Sequence, residues 1–164
     1  MSEELFDSFV QQINQFRKWL AQNKLTPVTD RVMLHARLKN GHRVAGETDL
    51  LAIDQHGNLV IFDFKTSKFD FDESYKTARG DQKWSTERQH SRQLTGYENL
   101  INSEFEQMYP VIRRVIVPFR IGYTTQDGMF DTFTSIESQK LIELPKDDEL
   151  DKQLNEVVDI ASVK

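Results

Sequence analysis

Residues 46–65, with the sequence GETDLLAIDQHGNLVIFDFK, constrain the fold more than any other stretch of this chain. Two runs of strand-forming residues flank the segment QHG at 55–57, which is typical of a β-hairpin with a three-residue loop. Gly57 can adopt the left-handed conformation that such a loop needs. We therefore predict a hairpin whose strands begin to pair at Asp54 and Asn58.

The register of this hairpin brings charged side chains together. Asp49 lies opposite Asp63, and Glu47 lies opposite Lys65. Because side chains alternate along a strand, all four share one face of the sheet. Directly opposed carboxylates repel, and partial burial increases that cost. The charges therefore need a physical explanation.

Two interpretations of these charges remain open at this point. In the first, Asp49 and Asp63 supply oxygen ligands to Mg²⁺ or Mn²⁺, and Lys65 orients a water or stabilises charge at a phosphate. In the second, the residues form an ion-pair ladder on the surface, with Lys65 bridging Glu47 and Asp63. The local pattern favours neither interpretation.

The remaining patterns predict an α/β chain of the α+β type, in which helices flank a central mixed sheet. The predicted helices are 3–22, 92–105 and, rich in acidic residues, about 147–160; the predicted strands are 31–38, 42–54, 58–66, 111–124 and 129–136. In the first helix the apolar positions are 5, 9, 13, 16 and 20. With no repeat or linker in the sequence, we expect one domain over 1–164 with its core at about 31–123.

Composition excludes several classes of site. The chain has no cysteine, which excludes disulfides, thiolate zinc sites and cysteine-ligated iron–sulfur clusters. It also has no glycine-rich phosphate loop for a nucleotide cofactor, and neither an apolar run of membrane-spanning length nor a secretory signal, so a cytoplasmic location is expected. The net charge is −5, but residues 143–164 hold seven acidic residues against three lysines, which leaves room for a basic face elsewhere.

Three short motifs resemble those of the PD-(D/E)xK nuclease superfamily, and of its RecB-like branch in particular. They are GETD at 46–49, IFDFKT at 61–66 and QLTGY at 93–97, which match in order an acidic motif, an Asp-x-Lys motif and a Gln-x-x-x-Tyr motif. The proline that often precedes the first acid is absent. The resemblance implies a restriction-endonuclease-like αβββαβ core.

The resemblance also implies a metal site for Mg²⁺ or Mn²⁺. Asp49, Asp63 and the main-chain carbonyl of Phe64 would be ligands. RecB-like enzymes use a further upstream His or Glu, for which Glu4 and His35 are the rival candidates in this chain. The missing cysteines separate the chain from iron–sulfur members of the branch.

The same resemblance assigns roles to three further side chains. Lys65 would orient the attacking water, and Gln93 and Tyr97 would support the site and the substrate. Gln93 and Tyr97 lie four residues apart, so they share one face of a helix. Without the other two motifs, this pair would be interpreted as ordinary helix packing.

Residues 68–89 interleave basic and aromatic side chains, a pattern that suits contact with nucleic-acid phosphates and bases. We predict that this segment forms a flap over the active face. The basic candidates for nucleic-acid contact in it are Lys68, Lys76, Arg79, Lys83 and Arg88. Arg113 and Arg114, on a later strand, are secondary candidates.

The expected function is that of a metal-dependent deoxyribonuclease of RecB-like exonuclease type, acting on single-stranded DNA or duplex ends. Such activity would serve DNA repair, recombination or mobile-element processing, with a helicase subunit or a larger parent chain as partner. One alternative is a catalytically inactive nuclease-like module that binds nucleic acid or a helicase. Another is a restriction-type or junction-resolving endonuclease of the same fold. No membrane partner is expected.

Overall fold

The structure is a computed structural model that describes residues 3–37, 41–67, 86–105, 108–120, 123–124, 130–131 and 141–154. Its elements, in chain order, are α1 (Glu3–Gln22), β1 (Thr26–Arg37), β2 (Arg43–Ile53), β3 (Leu59–Ser67), α2 (Thr86–Glu104), β4 (Val111–Arg120), β5 (Tyr123–Thr124), β6 (Phe130–Asp131), β7 (Ile142–Glu143) and α3 (148–154). The predicted αβββαβ order is confirmed, and so is the α+β class, in which helices flank a mixed sheet. The parts of the predicted segments at 38, 121–122, 129, 132–136 and 155–160 lie outside the described residues. The single-domain assignment stays a prediction.

The main sheet has the strand order β1-β2-β3-β4-β7. Its first three strands are antiparallel, β3 and β4 are parallel, and β7 returns antiparallel to β4. The parallel pair follows from the connection through α2, because parallel strands need a crossover rather than a tight turn. Strands β5 and β6 form a separate pair.

Alternation of side chains along β3 gives the sheet two apolar faces. Phe62 packs against α1, where its ring lies 5.3 Å from that of Phe16. Ile61 belongs to the opposite cluster, with Leu94 and Ile101 of α2. The sheet is therefore covered by a helix on each face, and within the described ranges no helix combines the length and apolar character needed to cross a membrane.

Helix α1 follows its predicted apolar stripe in only one half. Phe16 and Leu20 are buried as predicted, but Ile13 is 46% exposed. Ser8 and Gln12 are buried instead, and Gln12 Nε2 donates a hydrogen bond of 3.3 Å to Ser8 Oγ. The buried positions 8, 12, 16 and 20 step by four residues along one ridge of the helix, whereas the predicted stripe follows the neighbouring ridge at 5, 9 and 13 and joins this one only at 16.

The predicted hairpin register is confirmed over the pairs from Leu50–Phe62 to Ile53–Leu59. Asp54 holds the loop, since its Oδ1 accepts hydrogen bonds from the main-chain nitrogens of His56 (2.8 Å) and Asn58 (2.9 Å). The bond from Asn58 is the main reason that the pKa of Asp54 is lowered. Gly57 has a φ of 82°, the left-handed conformation that the loop requires.

Strands β1 and β2 stay paired beyond the point where β3 leaves them. Their ladder runs to Arg37–Arg43, whereas no pair between β2 and β3 is formed beyond Leu50–Phe62 within the described strands. We call residues 32–37 and 43–48 the β1–β2 arm. The place where β2 and β3 separate defines the candidate site.

Candidate active site

Asp49 occupies the gap that opens between β2 and β3. Its Oδ2 accepts a hydrogen bond of 2.8 Å from the main-chain nitrogen of Phe64. A carboxylate therefore replaces the main-chain acceptor that continued strand pairing would supply. This bond fixes the Asp49 carboxylate beside the next residues of β3.

Asp63 is a buried carboxyl with only 4% of its surface exposed. Lys65 Nζ pairs with its Oδ2 at 2.8 Å, and this buried oxygen has no further hydrogen-bond partner among the described residues. Burial raises the pKa of Asp63; Lys65 opposes that effect and the nearby Asp49 adds to it. The ionised form of Asp63 is thus held at a cost that a further cation would offset.

Lys65 is positioned by the two residues of the third motif. Its Nζ donates a hydrogen bond of 3.1 Å to Gln93 Oε1, and Gln93 Nε2 donates one of 2.9 Å to Tyr97 Oη. Because an ammonium group can only donate, it fixes which end of the Gln93 amide faces Lys65. The helical spacing of Gln93 and Tyr97 therefore serves to hold the lysine in place.

The glycine of the first motif and the tyrosine of the third are explained by one contact. A Cβ atom on Gly46 would lie 2.9 Å from Tyr97 Cε1 and 3.2 Å from Leu100 Cδ1. Both distances are shorter than ordinary carbon contacts, so only glycine allows the tyrosine ring to lie this close to β2.

Sequence reasoning missed His90, a half-buried residue one turn before Gln93 on α2. Burial, with a further contribution from the positive charge of Lys65, lowers the pKa of His90 to about 4. The imidazole is therefore neutral near pH 7. The one sequence signal for it was its spacing of three residues from Gln93 on a helix.

The donor set at this point suits a hard divalent cation. Mg²⁺ and Mn²⁺ prefer oxygen ligands, and Mg²⁺ commonly takes one or two carboxylates together with waters and substrate phosphate. A second buried oxygen without a hydrogen-bond partner in the described ranges, Thr48 Oγ1, belongs to the residue next to Asp49. Within those ranges no group of three acidic or histidine side chains could bind a metal ion together. Asp49 and Asp63 are therefore the candidate carboxylate ligands.

The two candidates for an upstream ligand have different outcomes. The side chain of Glu4 lies outside the described residues. His35 is exposed on β1 and pairs with Ala45. Since Ala45 precedes Asp49 by four residues on an extended strand, His35 lies about 13 Å from the site along the arm.

The ion-pair ladder interpretation is wrong. Glu47 never comes opposite Lys65, because β2 has already separated from β3 at Asp49. Its carboxylate instead lies 4.0 Å from Nε of the exposed Arg31. Lys65 does pair with Asp63, but the Asp63 carboxylate is buried rather than on the surface.

Most of the predicted nucleic-acid contacts fall outside the part of the chain that the structure describes, namely Lys68, Lys76, Arg79 and Lys83. Arg88 is described, and it pairs with Asp147 at 3.3 Å and with Glu149. The secondary candidates are also paired, Arg113 with Glu143 at 3.3 Å and Arg114 with Glu98 at 3.0 Å.

Comparisons with known proteins give only distant similarity. No family model matches the chain, and no curated protein matches it. Among solved structures, SSO0001 is 13% identical with a TM-score of 0.37, covering 94% of this chain and 56% of its own. A protein from Eubacterium rectale named "putative exonuclease" is 12% identical with a TM-score of 0.44, covering 90% of this chain and 49% of its own. This chain thus spans about half the length of each neighbour.

Proposed function

We propose that the protein is a Mg²⁺- or Mn²⁺-dependent nuclease of the RecB-like PD-(D/E)xK type that hydrolyses phosphodiester bonds in DNA. One observation carries the proposal. Three sequence motifs, two on the strands of one hairpin and the third on α2, meet where β2 and β3 separate, and they present two carboxylates and one ammonium group there. A role in DNA repair, recombination or mobile-element processing, beside a helicase or within a larger chain, belongs to the same proposal.

Asp49 and Asp63 would hold the metal, together with the main-chain carbonyl of Phe64. The fit rests on the raised pKa of Asp63 and on its buried Oδ2, which has no partner besides Lys65 Nζ among the described residues. A bound divalent cation would supply positive charge against the negative charge that develops on the scissile phosphate. Asp49 is already fixed by the main-chain nitrogen of Phe64, so it needs little reordering to bind.

Lys65 would act on the attacking water and on the phosphate. Its ammonium group is held between Asp63 and Gln93, which leaves its remaining donor capacity to orient a water oxygen towards phosphorus. In the reaction that water oxygen forms a bond to phosphorus while the bond from phosphorus to one ester oxygen breaks. Gln93 and Tyr97 keep the ammonium group in position throughout.

The test is incubation of the purified protein with single-stranded, linear duplex and circular DNA, in Mg²⁺, Mn²⁺ or EDTA. We expect cleavage that needs the metal, and a loss of about 10²- to 10⁴-fold in Lys65→Ala. Lys18→Ala, at an exposed lysine of α1, is the matched control and should cleave like the wild type. Equal cleavage by Lys65→Ala and the wild type would rule out this mechanism.

The form of the DNA substrate separates the remaining activities. An exonuclease degrades linear DNA and spares closed circles, whereas an endonuclease cuts both. Fixed products from one sequence, or selective cutting of branched DNA, would indicate a restriction-type or junction-resolving enzyme. DNA binding without metal-dependent cleavage would point to the inactive module instead.

A further inference from the structure

The β1–β2 arm has an outer face that the proposed chemistry does not use. Its inner face packs on α2, because Leu34 is fully buried and Gly46 lies against the ring of Tyr97. Alternation along the two strands then turns the odd-numbered residues of the arm outwards. Met33, which is 62% exposed, marks this outer face.

The outer face is basic at its far end. Arg37 and Arg43 pair directly across the ladder, and both are exposed. Like charges in directly opposed positions destabilise a strand pair. Among the described residues neither arginine has an acidic partner within ion-pair distance, and the acid on this face, Glu47, lies instead 4.0 Å from Arg31.

An open groove of about 550 Å³ lies along this end of the arm. Its lining residues are His35, Ala36, Arg37, Arg43, Val44 and Ala45. No carboxylate lines the groove, although the chain as a whole carries a net charge of −5. Positive charge is therefore concentrated on a surface that lacks an internal counter-ion within the described ranges.

We infer that the outer face of the β1–β2 arm binds the phosphate backbone of a nucleic acid, with Arg37 and Arg43 as the phosphate contacts. An arginine guanidinium matches phosphate oxygens with two parallel donors, and a phosphate between two opposed arginines offsets their repulsion. The inference rests on the proposed nuclease function, and it adds a second point of attachment for the same substrate.

The position of the groove indicates what this attachment does. Arg43 precedes Asp49 by six residues on an extended strand, which places the arginines about 20 Å from the candidate site. At about 3.4 Å per phosphate, that distance corresponds to roughly six nucleotides of a helical strand. The arm would therefore hold the substrate several nucleotides away from the bond that is cut.

Binding can be measured without cleavage, by fluorescence anisotropy of a labelled 20-nucleotide single strand in EDTA. We expect Arg37→Ala/Arg43→Ala to bind at least about 10-fold more weakly than the wild type, and the slope of log affinity against log salt to fall by about 1.4. The control is Arg17→Ala/Lys18→Ala on the exposed side of α1, which removes the same charge. An equal loss of DNA affinity in both double variants would overturn the inference.

Arg37→Glu separates binding from folding. It places opposite charges across the ladder at Arg43, so stability should be kept or slightly increased while DNA affinity falls. Loss of both stability and affinity would indicate a structural role and would overturn the inference. Inorganic phosphate is the probe for a free anion: if it stabilises the wild type while the variants bind DNA normally, the groove takes small anions and not a nucleic acid.

These outcomes are distinct from failure of the proposed nuclease. A wild-type protein that binds DNA through the arm but never cleaves it would remove the catalytic proposal and leave the arm site standing. A protein that cleaves DNA, but binds it with an affinity independent of Arg37 and Arg43, would remove the arm site and leave the catalytic proposal standing.

Discussion

Helix α2 has a cluster of charged and polar residues on each of two sides, and the two clusters are built differently. The site cluster consists of Asp49, Asp63, Lys65, Gln93 and Tyr97. The C-terminal network consists of Arg88, Arg92, Glu98, Arg114, Lys146, Asp147, Glu149 and Asp151. Both contain buried carboxylates, so burial alone does not distinguish them.

In the C-terminal network each buried acid is fully provided with partners. Glu98 is 4% exposed and lies 3.0 Å from Arg114 and 3.4 Å from Lys146. Asp147 caps the start of α3 by accepting a hydrogen bond of 2.8 Å from the main-chain nitrogen of Leu150, and it also pairs with Arg88. The network has four acidic and four basic members, and it ties residues 144–151 to α2 and β4.

The site cluster has two carboxylates and one ammonium group, which pairs with Asp63. Asp63 is as buried as Glu98, but its pKa is raised and, among the described residues, Lys65 is its one cationic partner, whereas Glu98 has two. The difference shows that a local surplus of negative charge marks the candidate site. A surplus of this kind destabilises the fold unless a cation occupies the site.

The largest contrast in stability should come from the cations of the two clusters. Arg114→Met leaves Glu98 buried with Lys146 alone and should lower the free energy of unfolding by about 3 kcal/mol. Lys65→Met also leaves a buried carboxyl without its cation, but Asp63 can take up a proton because its pKa is already raised, so the loss should be smaller, about 1 kcal/mol. Urea denaturation measures both values, and equal losses would mean that the site cluster is a structural ion pair like the network.

The free energy of unfolding should depend on pH through His90, which lies on the side of α2 that faces the site. Its folded pKa of about 4 lies below the ordinary 6.5, so between these values the unfolded chain binds more protons. Stability is therefore lost as the pH falls from about 6.5 to 4, by about 2 kcal/mol after allowing for partial exposure.

The difference in the free energy of unfolding between the wild type and His90→Gln, followed against pH, isolates this effect. It is needed because Asp63 acts with the opposite sign: its folded pKa is raised above the ordinary 3.8, so its own contribution grows as the pH falls. Thermal or urea unfolding at several pH values measures both curves. Parallel curves for the two proteins would show that His90 does not titrate as described.

Asp63→Asn should change stability in the direction opposite to Glu98→Gln. It removes a buried charge that is poorly compensated, so metal-free protein at pH 7 to 8 should gain about 1 kcal/mol. Mn²⁺ should stabilise the wild type, by about 2.7 kcal/mol at a hundred times its Kd, and should leave Asp63→Asn unchanged. Glu98→Gln should lose stability and keep the Mn²⁺ response; an Asp63→Asn protein that behaves in this way would refute the metal site.

The hairpin register and the three motifs could be predicted because they depend on local chemistry. Gly57 takes the left-handed conformation and Asp54 caps the loop, so the pairing of β2 with β3 follows from residues close together in the sequence. The spacing of Gln93 and Tyr97 likewise depends only on the helix.

The separation of β2 from β3 could not be predicted, because it depends on contacts between distant residues. Strand β2 follows β1 beyond Asp49, where Arg31 has a φ of 44°, and Gly46 meets Tyr97 from another element. Extending the register of the hairpin alone would place Glu47 opposite Lys65, which is wrong. The ion pair of Arg114 with Glu98 could not be predicted for the same reason, since the two residues lie on different elements.

The smallest effect on cleavage should come from removing one hydroxyl on each side of α2. Tyr97→Phe keeps the ring beside Gly46 but removes the acceptor for Gln93 Nε2, so Lys65 is held less firmly. Because Gln93 is partly exposed and water can replace the lost partner, cleavage should fall only about three- to tenfold and stability should stay within about 0.5 kcal/mol.

On the network side, Thr95→Val removes the buried hydroxyl that accepts a 2.8 Å hydrogen bond from the main-chain nitrogen of Asp147. That nitrogen is then left buried without its partner, which should cost about 1 to 2 kcal/mol of stability and leave the cleavage rate unchanged. Single-turnover cleavage and urea denaturation of both variants test the pair. If Tyr97→Phe loses stability at full cleavage rate, Gln93 and Tyr97 are packing residues, and the positioning of Lys65 must come from Asp63 alone.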